Sequence, residues 1–551
     1  MIAQQPHPPT SKVELRISCT NLTNKDVLSK SDPKVYVFSS FDSEKMVPLG
    51  KTEKINNSLN PVFKTPVFSD YYFERNQRLK FVVVDIDNED WNDSDDFIGS
   101  VEYSMASIVS APGSTAKLTL LSKHGHHAGN LTVSAELIRT NTKMSLAFRM
   151  SGDKFDKKDL FGKSDPYFIV SKSTPSGFVQ VYQSQVKYNT LNPVFDLTEI
   201  SMDELTGGDV KRDLLFAFFD YDSIGKHDFI GSFHTTAEAI LSMPLKLELI
   251  NQNKKEKKSS YHNSGTVEIY EARLNRAPEF MDYLMGGCEI SLIAGIDCTA
   301  SNLSPDNVKS LHYKHPTIPN AYANAISSIG SVLAPYDFDG MIPVFGFGGD
   351  LPGSPVTNHC FSMNLDPSSG KELDPNVRGV AGVLDVYYRN ITVVSLSGPT
   401  CFAPLIKRAS ELSNTSQSNQ KYSILMIITD GEIMDMEQTI EAIIKATEKP
   451  LSIVIIGVGS ANFSSMERLD GDGGPLSNGA GMIAKRDIVQ FVSHESFRDK
   501  PFYMLAEETL REIPRQFMEY MECNRIRPNP PRKYVEVNAS VPVAQMANLS
   551  V

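Results

Sequence analysis

The sequence predicts a multidomain protein in which two all-β sandwiches precede an α/β doubly wound domain. The first observation is a repeat: Lys-Ser-Asp-Pro at 30–33 returns at 163–166, and Asp-Phe-Ile-Gly-Ser at 96–100 returns at 228–232. Second, both copies contain short strands separated by turn residues, which is typical of β-sandwiches. Third, after Cys288 apolar strands alternate with helical patterns, as in a mostly parallel sheet covered by helices.

Length, composition and termini limit the class of protein. A chain of 551 residues suggests about three or four domains, and the formal net charge of −12 argues against nucleic acid as a partner. The N-terminus lacks the layout of a signal peptide, no run approaches the roughly 18–20 apolar residues of a transmembrane segment, and Ile2 excludes N-myristoylation. The six scattered cysteines suit reduced thiols. We therefore expect a cytoplasmic protein whose membrane contact is peripheral.

The first β domain is predicted over residues 12–140. It follows a Pro- and Gln-rich segment, 1–11, that we expect to be disordered. Its strands are runs with period-two alternation or continuous apolar character. They are predicted at 13–18, 34–38, 81–84 and 131–137.

The second β domain is predicted over residues 141–275, with the landmarks of the first repeated 132 or 133 positions later. A period of this length indicates duplication of a whole domain rather than a solenoid. The polar, basic stretch at 251–264 lies between two strand-like runs and indicates a long hairpin loop. A patch for anionic headgroups is the alternative for that stretch. Residues 276–287, with Pro278 and a Gly-Gly pair, are the predicted linker.

Each β domain carries an acidic loop directly after a buried strand. The strand delivers an Asp-x-Asp pair to its end, the loop returns a further Asp, and an upstream loop supplies two more. Gathered carboxylates repel one another unless a cation lies among them, and oxygen-only ligands favour calcium or magnesium. Two metal sites are therefore predicted. Their residues are Asp26, Asp32, Asp85, Asp87 and Asp96 in the first copy, and Asp159, Asp165, Asp220, Asp222 and Asp228 in the second.

The α/β domain is predicted over residues 288–525, and the tail at 526–551 is expected to be disordered. Apolar runs predict its strands, and apolar residues at helical spacing predict its helices. The strands are at 289–296, 342–347, 424–428 and 452–456; the helices are at 319–332, at 380–390 and around Ile440.

Hydroxyl and carboxylate side chains collect where strands of the α/β sheet end. The first strand is followed by Asp297, Thr299 and Ser301, a later strand by Asp430, and Thr400 lies between them in the sequence. Such sheets bind ligands at the carboxyl ends of their strands. An oxygen-only site with few charges suits Mg²⁺ and leaves one coordination position for a partner's carboxylate. The alternative is that the hydroxyl residues only cap the next helix.

The Ser-Asp-Pro, Leu-Asn-Pro-x-Phe and Asp-x-Asp to Asp-Phe-Ile-Gly motifs resemble the calcium-dependent, phospholipid-binding C2 domain. The resemblance implies that both carboxylate sets are calcium ligands. One departure is a three-residue insertion between Asp85 and Asp96, so that Asp93 or Asp95 could close the first site instead of Asp96.

Apolar residues flank the two predicted calcium sites. An exposed aromatic residue in an acidic loop suits the bilayer interface, so we expect the sole tryptophan to enter lipid when calcium binds. The predicted membrane-inserting residues are Val27, Leu28 and Trp91 in the first domain, and Leu160, Phe161 and Ile224 in the second.

The Asp-x-Thr-x-Ser stretch resembles the metal-ion-dependent adhesion site of the von Willebrand factor A domain, which has a Rossmann-like fold. The resemblance implies that Mg²⁺ or Mn²⁺ binds there, with Asp430 acting directly or through water. The other implied ligands are Asp297, Thr299, Ser301 and Thr400. Two C2 domains followed by an A domain is the layout of the copine family, and residues 283–287, 310–313 and 512–516 are similar to copine landmarks.

The copine resemblance implies an adaptor rather than an enzyme. Calcium would move it from the cytoplasm to anionic phospholipid of the plasma membrane and intracellular membranes, and its A domain would recruit protein partners in signalling or trafficking. A metal-dependent phosphoryl-transfer enzyme is the alternative, because an Asp after a strand with Mg²⁺ also serves that chemistry. Against it, position 299 is Thr rather than a second Asp. The lack of a signal peptide argues against a third possibility, an extracellular adhesion protein.

Overall fold

The computed structural model describes most of the chain in two compact units. One unit comprises residues 1–139 and 279–551, and the other comprises residues 140–278. The described residues are 10–42, 44–86, 96–138, 144–157, 162–175, 177–222, 227–354, 356–471, 474–498, 500–501 and 503–533. Among these residues, no helix has both the length and the apolar character needed to span a bilayer.

The first β domain is an eight-stranded antiparallel sandwich with one short helix. Its elements are β1 (Ser11–Thr20), β2 (Pro33–Phe41), β3 (Val47–Lys51), β4 (Val67–Tyr71), β5 (Gln77–Asp85), β6 (Asp96–Ser104), α1 (Met105–Ser110), β7 (Thr115–Leu121) and β8 (His127–Ile138). The strand order is β3-β2-β5-β6-β7-β8-β1-β4. Alternate residues of β1, Val13, Leu15 and Ile17, are buried, as a strand with one face on the core requires.

The second β domain repeats this topology strand for strand. Its elements are β9 (Met144–Asp153), β10 (Pro166–Thr174), β11 (Gly177–Gln183), β12 (Thr198–Ser201), α2 (Met202–Thr206), β13 (Leu214–Asp220), β14 (Asp228–Thr235), α3 (Ala237–Leu241), β15 (Leu245–Glu248), α4 (Gln252–Lys257) and β16 (Thr266–Arg276). The two sheets are ordered β11-β10-β13-β14 and β12-β9-β16-β15. The duplication predicted from the sequence repeat is therefore present in the fold.

The predicted hairpin loop at 251–264 contains the helix α4. Asn251 caps this helix, because its side-chain oxygen accepts a hydrogen bond of 3.3 Å from the N–H of Lys254. The lysines that follow are good helix formers, so one and a half turns can form within an otherwise irregular connection. A helix this short leaves no periodic signal in the sequence.

The α/β domain is built on one largely parallel sheet. Its strands are β17 (Glu289–Asp297), β18 (Met341–Phe347), β19 (Gly349–Asp350), β20 (Phe361–Ser362), β21 (Asn376–Arg378), β22 (Ser395–Leu396), β23 (Lys421–Thr429), β24 (Leu451–Gly457) and β25 (Val489–Ser493). The order is β20-β18-β17-β23-β24-β25, and the four strand pairs from β18 to β25 are parallel. The predicted α/β fold class is confirmed.

Eight helices are described in this domain, and three of them correspond to the predicted ones. The helices are α5 (Phe280–Met285), α6 (Ala321–Leu333), α7 (Gly379–Asn390), α8 (Ala403–Leu412), α9 (Met436–Ala446), α10 (Ser464–Glu467), α11 (Tyr503–Leu510) and α12 (Ile513–Cys523). Helices α6, α7 and α9 lie within two residues of the predictions where bounds were predicted.

The stretch predicted as a linker, 276–287, contains the buried helix α5. Phe280, Met281 and Leu284 of this helix are at most 5% exposed. Gly287 has a positive φ of 89° and ends the helix by donating its N–H to the carbonyl of Leu284. The Gly residues that suggested a linker therefore mark the end of a short helix, and its start is capped by Asp282, whose side chain accepts a hydrogen bond of 2.9 Å from the N–H of Glu279.

The two terminal segments predicted to be disordered are partly ordered. Residues 526–533 lie on the α/β domain, where Ile526 O accepts from Tyr283 Oη and Arg527 O accepts from Gln417 Nε2, both at 2.8 Å. At the N-terminus, Thr10 Oγ1 accepts a hydrogen bond of 3.0 Å from the N–H of Phe73. Residues 1–9 and 534–551 lie outside the described residues.

The first β domain and the α/β domain share one hydrophobic core. Phe73 packs against Phe280 and Tyr336 with ring centroids 5.0 and 5.1 Å apart, and the hydroxyls of Tyr71 and Tyr336 are hydrogen-bonded. The contact uses the turn between β4 and β5, at the start of β5, whereas Asp85 lies at the other end of that strand.

Candidate metal centres

The acidic loop of the first β domain is built around one buried carboxylate at the end of β5. Asp85 is 4% exposed, and its Oδ1 accepts a hydrogen bond of 2.6 Å from the N–H of Asp32. Its Oδ2 is buried without a hydrogen-bond partner among the described residues. Burial raises the pKa of Asp85, and the charges of Asp26 and Asp32 raise it further. A cation would satisfy such an oxygen.

The second β domain repeats this arrangement at the end of β13. Asp220 is buried, its Oδ1 accepts from the N–H of Asp165 at 2.5 Å, and its Oδ2 likewise has no partner among the described residues. In both domains the loop carboxylate, Asp32 or Asp165, also accepts a hydrogen bond of 2.6 Å from the backbone of an Asn. The repeated unsatisfied oxygen favours a cation site over two unrelated sets of turn aspartates.

Strand register places one further predicted ligand opposite the Asp that ends each strand. Asp96 is the cross-strand partner of the Asp that ends β5, and Asp228 is the partner of the Asp that ends β13. The side chain of Asp26 accepts a hydrogen bond of 2.6 Å from Ser29 Oγ, and Asp222 follows β13 by two residues. The predicted ligands Asp87 and Asp159, and the alternatives Asp93 and Asp95, lie outside the described residues.

A lysine distinguishes the first carboxylate site from the second. Lys54 Nζ lies 3.7 Å from Asp32 Oδ2. Lys187, 133 positions later, instead pairs with Asp196 at 2.8 Å. One carboxylate of the first site thus has a protein cation beside it. This difference is not visible in the motifs, which are the same in both copies.

Two predicted membrane-inserting residues beside the first site are fully exposed to solvent. Val27 and Leu28 are 96% and 101% exposed. Exposure of apolar side chains to water is unfavourable, and such side chains next to a carboxylate cluster suit a lipid surface. The other predicted inserting residues lie outside the described residues; they are Trp91, Leu160, Phe161 and Ile224.

In the α/β domain, hydroxyl groups connect two carboxylates at adjacent strand ends. Asp297 accepts from the N–H and Oγ1 of Thr299 at 2.8 and 2.6 Å, and from Thr429 Oγ1 at 2.5 Å. Thr299 Oγ1 lies 2.9 Å from Ser301 Oγ, which donates to Asp430 Oδ1 at 2.8 Å. The parallel pairing of β17 with β23 places these groups side by side.

The loop before α8 brings Thr400 to the same place. The Cβ that Gly431 lacks would lie 3.3 Å from Thr400 Oγ1 and 3.8 Å from Ser301 Oγ, so the glycine leaves space among these oxygens. Thr400 is buried, and its carbonyl accepts a hydrogen bond of 2.9 Å from the N–H of Met434. All five predicted residues of this site are therefore neighbours in the fold.

The electrostatics of this site fit a small divalent cation. Burial raises the pKa of Asp297 to about 6, and the charge of Asp430 adds to the rise. Burial also raises the pKa of Asp430. Two destabilised carboxylates among four hydroxyls form an oxygen-only set of the kind that Mg²⁺ or Mn²⁺ prefers.

A supporting layer, which the sequence prediction missed, holds Asp430 in place. Asn302 donates to Asp430 Oδ1 at 2.9 Å and accepts from the hydroxyl of Tyr322 at 2.8 Å. His312 packs on the Tyr322 ring with centroids 4.3 Å apart, and burial lowers its pKa to about 3. The neutral imidazole adds no positive charge beside the carboxylates. Of this layer, the motif at residues 310–313, which contains His312, stood out in the sequence. The sequence did not indicate what that motif does.

Comparison with known proteins gives consistent matches along the chain. The copine family model matches residues 310–529, and the C2 domain model matches residues 12–120 and 149–259. Copine-A of Dictyostelium discoideum is 51% identical over 528 residues, covering 95% of this chain and 86% of that protein. Copine-D of the same organism is 46% identical over 534 residues, covering 96% and 98%. The calcium-bound pair of C2 domains of Extended-Synaptotagmin 2 is 16% identical over 49% of this chain and 100% of that one, with a TM-score of 0.20.

Proposed function

The chain belongs to the copine family, whose two C2 domains imply calcium-dependent membrane binding, and we propose that it is a cytoplasmic adaptor recruited by calcium to anionic phospholipid. In this proposal it moves to the plasma membrane and intracellular membranes and presents its α/β domain to protein partners in signalling or trafficking. The observation that carries the proposal is the buried carboxylate oxygen that, at the same position in both β domains, has no hydrogen-bond partner among the described residues.

The membrane-binding step follows from charge and exposure in the acidic loops. Calcium, when bound, would cancel carboxylate charge and offer coordination positions to lipid phosphate. Asp85 and Asp220 would anchor the ion, since each has one oxygen fixed by the backbone and the other unsatisfied. With the repulsion from acidic lipid removed, the exposed Val27 and Leu28 could enter the bilayer surface.

The α/β domain is proposed to bind a partner rather than to catalyse. Mg²⁺ or Mn²⁺, when bound, would supply a coordination position for a carboxylate of the partner. Asp297, Thr299 and Ser301 would hold the ion from one loop, with Thr400 and Asp430 from two others. The position at 299 carries a hydroxyl and not a second carboxylate, which disfavours the alternative phosphoryl-transfer enzyme.

Vesicle sedimentation over a calcium titration tests the proposal. Wild type should bind phosphatidylserine-containing vesicles only with calcium. Asp85→Asn affects the first β domain and Asp220→Asn the second, and each should raise the calcium concentration needed for half-maximal sedimentation at least about tenfold. Asp385→Asn is the matched control, because that side chain is 68% exposed on α7 and pairs only with Arg389 among the described residues. The proposal would be refuted if wild type bound vesicles equally well with and without calcium.

The sole tryptophan offers an independent test of membrane insertion. If Trp91 enters lipid, its fluorescence should shift to the blue when vesicles and calcium are both present. An unchanged spectrum under conditions where the protein sediments with vesicles would exclude Trp91 as an anchor and leave Val27 and Leu28 as the described candidates.

A further inference from the structure

A histidine-rich turn lies beside the acidic loop of the first β domain. The turn between β7 and β8, together with the first residue of β8, reads Ser-Lys-His-Gly-His-His at 122–127, and the side chains of Lys123, His124, His126 and His127 are exposed. It is held next to both ends of the carboxylate set. Thr23 donates its N–H to the carbonyl of Ala128 at 3.0 Å, and Lys123 Nζ lies 5.6 Å from the centroid of the Phe97 ring.

The second β domain has a basic helix at the same structural position. Asp156, which is 133 positions after Thr23, donates its N–H to the carbonyl of Ser264 at 3.0 Å. The glycines that follow, Gly129 and Gly265, have φ values of 124° and 122°. The histidine turn therefore corresponds to the connection that contains α4, which likewise lies beside an acidic loop.

The two elements differ in the kind of positive charge that they carry. Helix α4 and its C-cap present four lysines and one glutamate, so their charge is permanent. The histidine turn has one lysine and three imidazoles, and an imidazole gains its proton between about pH 8 and pH 5. The first domain thus carries, at the position of a permanently basic element, one whose charge depends on pH.

We propose that the histidine turn, residues 122–127, is an acid-strengthened contact for the anionic headgroups of phospholipids. This inference rests on the proposed function, because it needs the calcium-loop end of the first β domain to face a membrane. Among the described residues, the charged groups next to the two contact points are Lys25 and Asp26, which follow Thr23, and Asp96, which precedes Phe97. Protonating the turn would offset these two carboxylates and attract acidic lipid, so membrane binding at a given calcium concentration increases as pH falls.

Binding of the full chain to vesicles at two pH values tests this inference. With calcium saturating, the partition of wild type onto phosphatidylserine-containing vesicles should rise about tenfold from about pH 7.4 to about pH 5.8, given the usual gain from each basic group near an acidic membrane. The triple variant His124→Gln, His126→Gln, His127→Gln should lose most of this rise. The triple His→Lys variant should bind at the higher pH as wild type does at the lower.

Two controls separate the histidine turn from other acid effects. His234→Gln changes an exposed histidine at the far end of β14, 2.9 Å from Asp213, and should keep the full acid response. Vesicles of phosphatidylcholine alone should show no acid response with any variant.

The outcomes distinguish this inference from the function on which it rests. An acid response of wild-type size in the glutamine variant, or calcium-dependent binding by wild type that does not change with acid, would overturn the histidine proposal and leave the calcium adaptor intact. Absence of calcium-dependent binding at both pH values would overturn the two together.

Discussion

At the scale of single residues, buried carboxylates dominate the chemistry of this chain. Asp85, Asp220 and Asp297 each end a strand, are at most 4% exposed and accept hydrogen bonds from backbone or hydroxyl groups. These donors hold the carboxylates in fixed orientations without neutralising them. The folded protein therefore holds carboxylates in places where their negative charge is unfavourable, and a bound cation would offset that charge.

The titration of Asp297 gives a pH-dependent stability. Burial raises its pKa to about 6, above its value in the unfolded chain, so the folded state binds the proton more tightly. Stability that the proton confers is fully present at low pH and is lost as pH rises through the folded value. Without divalent ions, the titration of Asp297 should make the α/β domain about 2 kcal/mol less stable at pH 7.5 than at pH 4.

Thermal unfolding in EDTA checks this expectation. Asp297→Asn should melt at or above the wild-type temperature at pH 7.5, and the difference between the two should vanish towards pH 4. Added Mg²⁺ should stabilise wild type and not the variant. If the difference in melting temperature between wild type and Asp297→Asn does not change with pH, the raised pKa of Asp297 is contradicted.

Lys54 should weaken calcium binding at the first site. Its ammonium lies 3.7 Å from Asp32 Oδ2 and competes electrostatically with the ion, but the lysine is 31% exposed and solvent screens the effect. Lys54→Met should therefore raise the calcium affinity of the first site by only about threefold. Calorimetry on a chain carrying Asp220→Asn isolates that site, and Lys187→Met is the matched control, since Lys187 pairs with Asp196. An unchanged or lower affinity would refute this role.

At the scale of elements, the ends of strands position the sites and a few long side chains fix the helices. Arg486 joins the strand β24 to the helix α12. It donates to the carbonyls of Thr447, Lys449 and Leu451 before and within the strand, and to Gln516 O on the helix at 3.1 Å. Because the guanidinium is only 8% exposed, it has replaced water as the donor to these groups.

Replacement of Arg486 should loosen α12. Arg486→Met leaves several buried carbonyls without a donor and should lower the free energy of unfolding by about 3 kcal/mol or more. Urea denaturation measures the loss, and hydrogen exchange should localise it to 447–451 and α12. Arg468→Met, at an exposed arginine after α10, should change stability by less than about 0.5 kcal/mol. Equal effects of the two variants would contradict the structural role.

At the scale of the whole molecule, the first β domain is joined to the α/β domain, whereas the second β domain is a compact unit of its own. Arg75 strengthens the joint within the first unit. Its guanidinium lies 4.3 Å from the Phe41 ring and 4.8 Å from the Tyr503 ring, and 3.7 Å from the carboxylate of Glu507. If the first β domain binds a membrane as proposed, it would therefore orient the α/β domain as well.

Arg75→Ala should weaken the contact between the first β domain and the α/β domain. Loss of two cation–π contacts and of ion pairs at a side chain that is 16% exposed should cost about 1–3 kcal/mol. Hydrogen exchange should rise in β4 and α11 and stay unchanged in β9–β16. The control is Arg78→Ala, because Arg78 is 55% exposed and pairs with Glu102 on the same sheet. Equal exchange in both variants would show that Arg75 does not hold the joint.

The sequence determined the duplicated sandwiches, the parallel sheet and the carboxylates and hydroxyls at the strand ends. It could do so because apolar runs, alternation and repeated motifs are local patterns that secondary structure reflects directly. It missed α4 and α5, whose one or two turns are too short to show a period, and the packed residues after 525. Their ordering depends on distant partners.

Only the tertiary structure decided which oxygens are left unsatisfied, and which domains share a core. Asp85 and Asp220 differ from ordinary turn aspartates because a backbone N–H more than fifty residues away fixes one oxygen and burial isolates the other. In the same way, Thr429 and Asn302 became parts of the α/β site through parallel pairing and loop packing. Such contacts join residues far apart in the chain, and no local pattern encodes them.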